Sequence, residues 1–304
     1  MSPRTAGVLS LVGLSLAAPA AARAQACCAG ASAISPGRLA DHEDALVGAE
    51  ARGRSLVGTH DSTGAFRRAP RGTSETEARL TMIGTARLLE RGQLSLLVPT
   101  AWTRRVTPGR AESSVGLGDL EARARLDVTR TGASRTIPGL ALVAGVLAPT
   151  GRSVANAKKP LGTDATGAGT WEASVGAAGE KTLGPWLVSA AAFVAMRREV
   201  EVAGVSASLA PRWSGLVAAA YTFESEAALA VSMIHTRAGE STIGGRTVPD
   251  SATRTTTVAL AGQAPLSEAY RVSATLSAAP PLSGLGKNAP APVGITLALF
   301  RTWM

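Results

Sequence analysis

Residues 119–129, DLEARARLDVT, alternate between polar and apolar side chains without interruption. Successive side chains of a β-strand point to opposite faces, so this segment is typical of a strand with one apolar and one charged face. The apolar face would carry Leu120, Ala122, Ala124, Leu126 and Val128. The opposite face would carry the five charged side chains and Thr129. The pattern therefore predicts a strand that separates an apolar environment from a wet one.

Eleven further segments alternate in the same way or form short apolar runs bounded by Gly and Pro. The predicted strands, 119–129 apart, cover about 45–55, 77–88, 93–104, 138–149, 170–181, 186–198, 207–222, 227–237, 253–263, 269–278 and 293–303. Short and long connections follow one another in turn, and residues 105–116 are expected to be one of the long loops. An even number of strands of about 10 residues indicates an all-β, transmembrane, antiparallel up-and-down β-barrel of about 12 strands. We assign this barrel to residues 44–304.

The N-terminus has the order of an export signal. Arg4 precedes an apolar stretch, and Ala24-Gln25-Ala26 provides the small residues that a signal peptidase requires. We expect a signal peptide over residues 1–26, followed by an N-terminal segment over 27–43. Beyond the signal, no apolar run is long enough for a membrane-spanning helix. The predicted location is the outer membrane of a Gram-negative bacterium.

The formal net charge is +9, and removal of Arg4 and Arg23 with the signal peptide would lower it to +7. The basic residues are scattered singly or in pairs, without a basic helix or an aromatic platform. We therefore expect no nucleic-acid partner. The expected partners are outer-membrane lipid, small-molecule solutes and, during biogenesis, the barrel-assembly machinery.

The charged faces of the predicted strands provide the candidate site residues. If the barrel is closed, these side chains line its lumen and either orient permeating solutes or pair with one another for stability. The lumen-lining candidates are Arg79, Arg87, Asp119, Glu121, Arg123, Arg125, Asp127, Glu172 and Arg212.

Catalytic and metal-binding patterns are absent from the sequence. Cys27 and Cys28 are its two cysteines, and the spacing from Cys28 to His42 does not match a tetrahedral metal site. His235 has no serine two residues on to act as a nucleophile. We expect no enzyme activity, no catalytic residue, no cofactor and no metal.

Three short motifs carry a resemblance to a known family. They are Gly116-Leu117-Gly118-Asp119-Leu120, Leu147-Ala148-Pro149-Thr150-Gly151 and Gly167-Ala168-Gly169-Thr170-Trp171, the last followed by a strand and Gly184-Pro185-Trp186. In this order they resemble the outer-membrane transporter-like β-barrels grouped with the phenol meta-cleavage degradation pathway, over about residues 76–304. The resemblance implies an outer-membrane barrel that passes small solutes, hydrophobic or aromatic ones among them. Two features depart from the family pattern. Met304 stands where such barrels usually end with an aromatic residue, and the segment 27–75 carries Cys27, Cys28, His42 and His60.

The function predicted from these observations is a passive, porin-like channel or transporter-like protein for small solutes. Two alternatives remain open. The first is a plugged barrel that transports nothing and has a structural or surface role. The second is a soluble periplasmic β-sandwich that binds a ligand, which would also alternate apolar and polar residues. Against the sandwich, the apolar faces are dominated by Ala, Val and Leu, whereas a sandwich core would need larger side chains.

Overall fold

The computed structural model describes residues 26–35, 37–134, 136–202 and 204–304. The predicted signal peptide therefore lies outside the described residues, apart from Ala26. One α-helix, α1, covers Ala26–Ile34. Among the described residues, no helix has the length and apolar character needed to cross a membrane.

Twelve long strands form one antiparallel sheet, in which each strand pairs with its neighbours in the chain. They are β1 Ala45–His60, β2 Ser74–Arg87, β3 Gly92–Thr107, β4 Leu120–Thr129, β5 Gly139–Ala148, β6 Glu172–Leu183, β7 Trp186–Arg197, β8 Arg212–Thr222, β9 Ala228–Ala238, β10 Thr253–Ser267, β11 Tyr270–Ala278 and β12 Ala289–Trp303. The sheet closes because β1 also pairs with β12, from Ala45 opposite Trp303 to His60 opposite Ala289. Closure leaves no free edge. The prediction of an all-β, twelve-stranded antiparallel barrel is confirmed.

The connections divide the barrel into two rims. The turn rim holds the short connections, such as Gly184-Pro185 between β6 and β7, together with the start of β1 and the end of β12. The loop rim holds the long connections, such as residues 149–171 between β5 and β6. Trp186, Tyr221 and Phe223 form consecutive edge-to-face ring contacts at the turn rim, with centroids 5.1 and 5.0 Å apart.

The loops contain more strand than their composition predicts. Residues 105–116, expected to be a loop, instead complete a hairpin in which Arg110–Leu117 pairs with the second half of β3. The reason is that Pro108-Gly109 is a two-residue turn, with Gly109 at φ +81°, and not the middle of an irregular segment. The predicted strand 207–222 is likewise shorter, because Val205–Ser208 belongs to a separate small sheet at the loop rim.

Candidate functional site: the barrel lumen

The N-terminal segment occupies the lumen at the turn rim. We call its described residues, 26–35 and 37–44, the plug segment. Ala29, Ala31 and Ala33 of α1 are buried against the inner wall. The wall residues in this cluster are Leu187, Ala220, Ala228, Ala230 and Ala261, from β7 to β10. Small side chains on both surfaces allow the helix backbone to approach closely: a Cβ at Gly30 would lie 3.1 Å from the Cβ of Leu187.

The rest of the plug segment crosses the lumen and is fastened to it by ion pairs. The Arg38 guanidinium donates to Glu180 on β6. Farther around the wall, Nη1 of Arg271 on β11 donates to Oε1 of Glu43 at 2.8 Å. Both pairs are largely buried, with side-chain exposures between 6% and 11%. Removal of one partner from such a pair leaves a charge without compensation, so these contacts hold the segment firmly.

Apolar and backbone contacts complete the anchoring. Leu39 is buried against Leu46, Ile83 and Phe300 on neighbouring strands. The Leu39 backbone N–H donates to Oε1 of Gln93 at 3.0 Å. The plug segment therefore meets most of the barrel circumference at this level.

A cavity of about 500 Å³ lies between the plug segment and the barrel wall. Ala31, Ile34 and Arg38 line it from the plug segment. The charged or hydroxyl-bearing wall residues that line it are Glu50, Ser95, Glu121, Arg123, Arg125, Glu172, Ser174, Glu180, Ser189, Arg212 and Ser214. Because these residues alternate with outward apolar ones along each strand, the lumen is polar while the outer surface is apolar.

Eight of the nine sequence-predicted site residues fall into three groups. Those that line the cavity are Glu121, Arg123, Arg125, Glu172 and Arg212. The second group comprises Arg79, an ion-pair partner of Glu77, and Asp127, which accepts a 2.9 Å hydrogen bond from Nε of Arg125. Arg87 forms the third group, because it donates from Nε to the backbone oxygen of Glu43 at 2.9 Å and so helps to hold the plug segment.

Asp119 has a different role from the one expected for it. Its Oδ1 accepts from the backbone N–H of Gly151 at 2.9 Å, and its Oδ2 accepts from that of Ala168 at 2.5 Å. A Cβ at Gly167 would lie 2.3 Å from Oδ1, so glycine is required there for the close approach. The three motifs that carry the family resemblance are thus joined by the hydrogen bonds of Asp119. Asp119 anchors a loop and is not among the residues that line the cavity.

The loop that Asp119 holds has a second anionic anchor. Asp164 accepts from the backbone N–H of Lys158 at 2.9 Å and from Nη1 of Arg152 at 2.6 Å. The backbone N–H of Lys158 first, and then the Arg152 guanidinium, hold the pKa of this carboxyl well below its usual range. The loop is therefore arranged around two carboxylates, Asp119 and Asp164, that accept hydrogen bonds from its backbone.

The sequence reading missed several lumen residues. The most important are Arg38, Glu43, Glu180 and Arg271, which fasten the plug segment. A signal existed for Glu180, since it shares the parity of Glu172 on β6 and so faces the same side. Arg38 and Glu43 lie outside any strand pattern, and no periodicity could have placed them in the lumen.

Two groups of residues were candidates for metal binding or catalysis in the described part of the chain: clusters of metal-ligating side chains and the environment of His235. No group of three or more His, Cys, Asp or Glu side chains that could hold a metal ion occurs in the described part of the chain. Nδ1 of His235 is 3.0 Å from Oγ1 of Thr256, a hydroxyl already used to donate to the backbone oxygen of Leu285.

Comparison with known proteins supports the fold. No protein-family model and no curated protein matches the chain. An outer membrane channel from Pseudomonas putida F1 superposes with a TM-score of 0.69 at 19% identity, over 88% of this chain and 99% of the other. The translocator domain of the autotransporter NalP from Neisseria meningitidis gives 0.52 at 14% identity, over 94% and 100%. The chain therefore shares the closed-barrel fold of Gram-negative outer-membrane proteins.

Proposed function

We propose that this protein is a passive outer-membrane channel for small solutes, exported by a signal peptide over residues 1–26. The observation that carries the proposal is the charged cavity of about 500 Å³ inside a closed barrel whose outer surface is apolar. An apolar outer surface fits outer-membrane lipid as the surrounding medium, and closure satisfies the backbone where lipid cannot. Insertion would use the barrel-assembly machinery.

Within this proposal, the plug segment is the gate. It occupies part of the lumen at the turn rim, and the ion pairs Arg38–Glu180 and Glu43–Arg271 hold it there. Solutes would enter at the loop rim and be selected by lumen width and charge. The family resemblance in the motifs around Asp119 supports hydrophobic or aromatic small molecules as the solute class, within the group linked to phenol meta-cleavage.

A barrel that transports nothing is the second candidate, and the buried fastening of the plug segment favours it. Conductance in planar bilayers distinguishes the two. We expect the full chain to conduct ions in brief openings, and Arg38→Gln with Glu43→Gln to lengthen these openings because both fastenings are weakened.

The control is Arg67→Gln, which removes an exposed loop ion pair with Asp61. This variant should open as the unmodified chain does. Heat-modifiable migration would establish that each variant is folded. A folded double variant that never conducts would refute the channel and leave the plugged, structural barrel.

A further inference from the structure

One carboxylate in the lumen is shared by three arginines. Oε1 of Glu77 on β2 lies 3.4 Å from Nη2 of Arg52 and 3.4 Å from Nε of Arg79, and its Oε2 lies 2.6 Å from Nη2 of Arg54. Among the described ion pairs, no other carboxylate has three cationic partners. We call Arg52, Arg54, Arg79 and Glu77 the arginine cluster.

The arginine cluster has more hydrogen-bond donors than acceptors. Three guanidinium groups offer about fifteen N–H donors, whereas one carboxylate accepts at about four lone-pair positions. The deficit is visible in the structure, because the buried Nε atoms of Arg52 and Arg79 have no hydrogen-bond partner. The cluster is therefore short of oxygen acceptors and of negative charge.

The three arginine side chains are partly open to the lumen, although the two Nε atoms are covered. The side chains of Arg52, Arg54 and Arg79 are 34%, 39% and 30% exposed, while that of Glu77 is 10% exposed. The shared carboxylate is thus covered and the guanidinium groups form the accessible surface. Glu50 lies two residues before Arg52 on the same face and lines the cavity. Even when Glu50 is counted with Glu77, the three arginines leave the local net charge positive.

The arginine cluster lies on the route from the loop rim to the cavity. β1 begins at Ala45 at the turn rim and ends at His60 at the loop rim, so Arg52 and Arg54 are nearer the loop rim than Leu46, which contacts the plug segment. A solute that enters at the loop rim would reach this cluster before it meets the plug segment.

We propose that Arg52, Arg54 and Arg79 form a binding step for small carboxylate-bearing solutes, an inference that rests on the proposed channel function. A planar guanidinium can donate two parallel hydrogen bonds to one carboxylate. Each arginine of the cluster has a single contact with Glu77, because the three share this carboxylate. An incoming carboxylate accepts hydrogen bonds from the exposed parts of the guanidinium groups and neutralises the surplus charge. The lumen consequently favours anions over cations.

The test compares the full chain with Arg52→Gln/Arg79→Gln. The matched control is Arg104→Gln/Arg237→Gln, which removes the same net charge from two exposed side chains that alternation places on the outer face near the loop rim. Two readouts are needed. The first is the heat-unfolding midpoint in detergent with citrate, at an ionic strength held constant with NaCl. The second is the reversal potential in a KCl gradient.

We expect citrate to raise the unfolding midpoint of the full chain and of the control, but not of the cluster variant. We expect chloride to permeate about three times more readily than potassium, with this preference lost in the cluster variant alone. If the variants conduct but the cluster variant and the control respond equally in both readouts, the binding step is refuted and the channel stands. If nothing conducts yet citrate still distinguishes the variants, the site stands and the channel function is refuted.

Discussion

Adjacent residues on one strand provide a direct test of which barrel face meets lipid. Ala190 and Ala191 are consecutive on β7; Ala190 is exposed on the outer surface and Ala191 lines the cavity. Replacing each with arginine makes the same chemical change on opposite faces. The prediction is that Ala190→Arg destabilises the inserted barrel strongly and that Ala191→Arg does so weakly.

The magnitude follows from the depth of Ala190 in the membrane. It lies four residues from Trp186, at the turn-rim end of β7. At about 3.3 Å per residue and a tilt of about 40°, this separation corresponds to roughly 10 Å along the membrane normal, near the middle of an apolar band about 25 Å tall. Arginine at such a depth costs about 2–4 kcal/mol. The folding equilibrium constant should therefore fall by about 30- to 700-fold.

The assay is reversible guanidinium unfolding of barrels inserted in phospholipid vesicles, followed by tryptophan fluorescence and heat-modifiable migration. The arginine side chain introduced by Ala191→Arg can extend into the cavity beside Glu172 and Glu180. Its loss of folding free energy should therefore be below about 1 kcal/mol, as for a charge near water. Equal losses of stability in the two variants would refute the assignment of faces. A larger loss in Ala191→Arg would reverse it.

Three further predictions concern the plug segment and the loop rim. Arg38→Gln leaves Glu180 with one fewer cationic partner, so protease should cleave the plug segment faster while the barrel keeps its heat-modifiable migration; unchanged cleavage would contradict the fastening role. Gly167→Ala should destabilise the loop at 149–171 by about 1–3 kcal/mol, because a Cβ would lie 2.3 Å from a carboxylate oxygen. Gly53→Ala, which meets nothing within 4 Å, should be neutral in the same proteolysis assay and serves as its control. The pKa of Asp164 is lowered in the folded loop, so its stabilisation is present at neutral pH and is lost as the pH falls below about 3.9, the unfolded value, towards the folded pKa. The protection factors of the loop amides, corrected for the intrinsic pH dependence of exchange, should therefore fall only in strong acid, and Asp164→Asn should show no such step.

The strand pattern of β4 shows how far local information reaches. Period-two alternation predicts a two-faced strand at 119–129, and the structure has a strand at Leu120–Thr129 with Glu121, Arg123 and Arg125 along the cavity. The prediction succeeds because side-chain direction depends only on neighbouring residues in an extended backbone. The pattern did not predict that Asp119 accepts hydrogen bonds from a loop whose residue Gly151 lies 32 positions further along the chain.

The sequence by itself determined the number of strands, their faces and the alternation of turns with loops, because each of these follows from contacts within a few residues. Only the tertiary structure decided which charges meet in the lumen. Arg38 and Glu180 are 142 residues apart, and Glu43 and Arg271 are 228 residues apart. The pairing of β1 with β12 closes the barrel and brings such residues to the same depth in the lumen. The small side chains on the inner face of β7 to β10 leave the space that α1 occupies. These properties depend on strand register and on the volume that the barrel encloses, and periodicity along one strand carries information about neither.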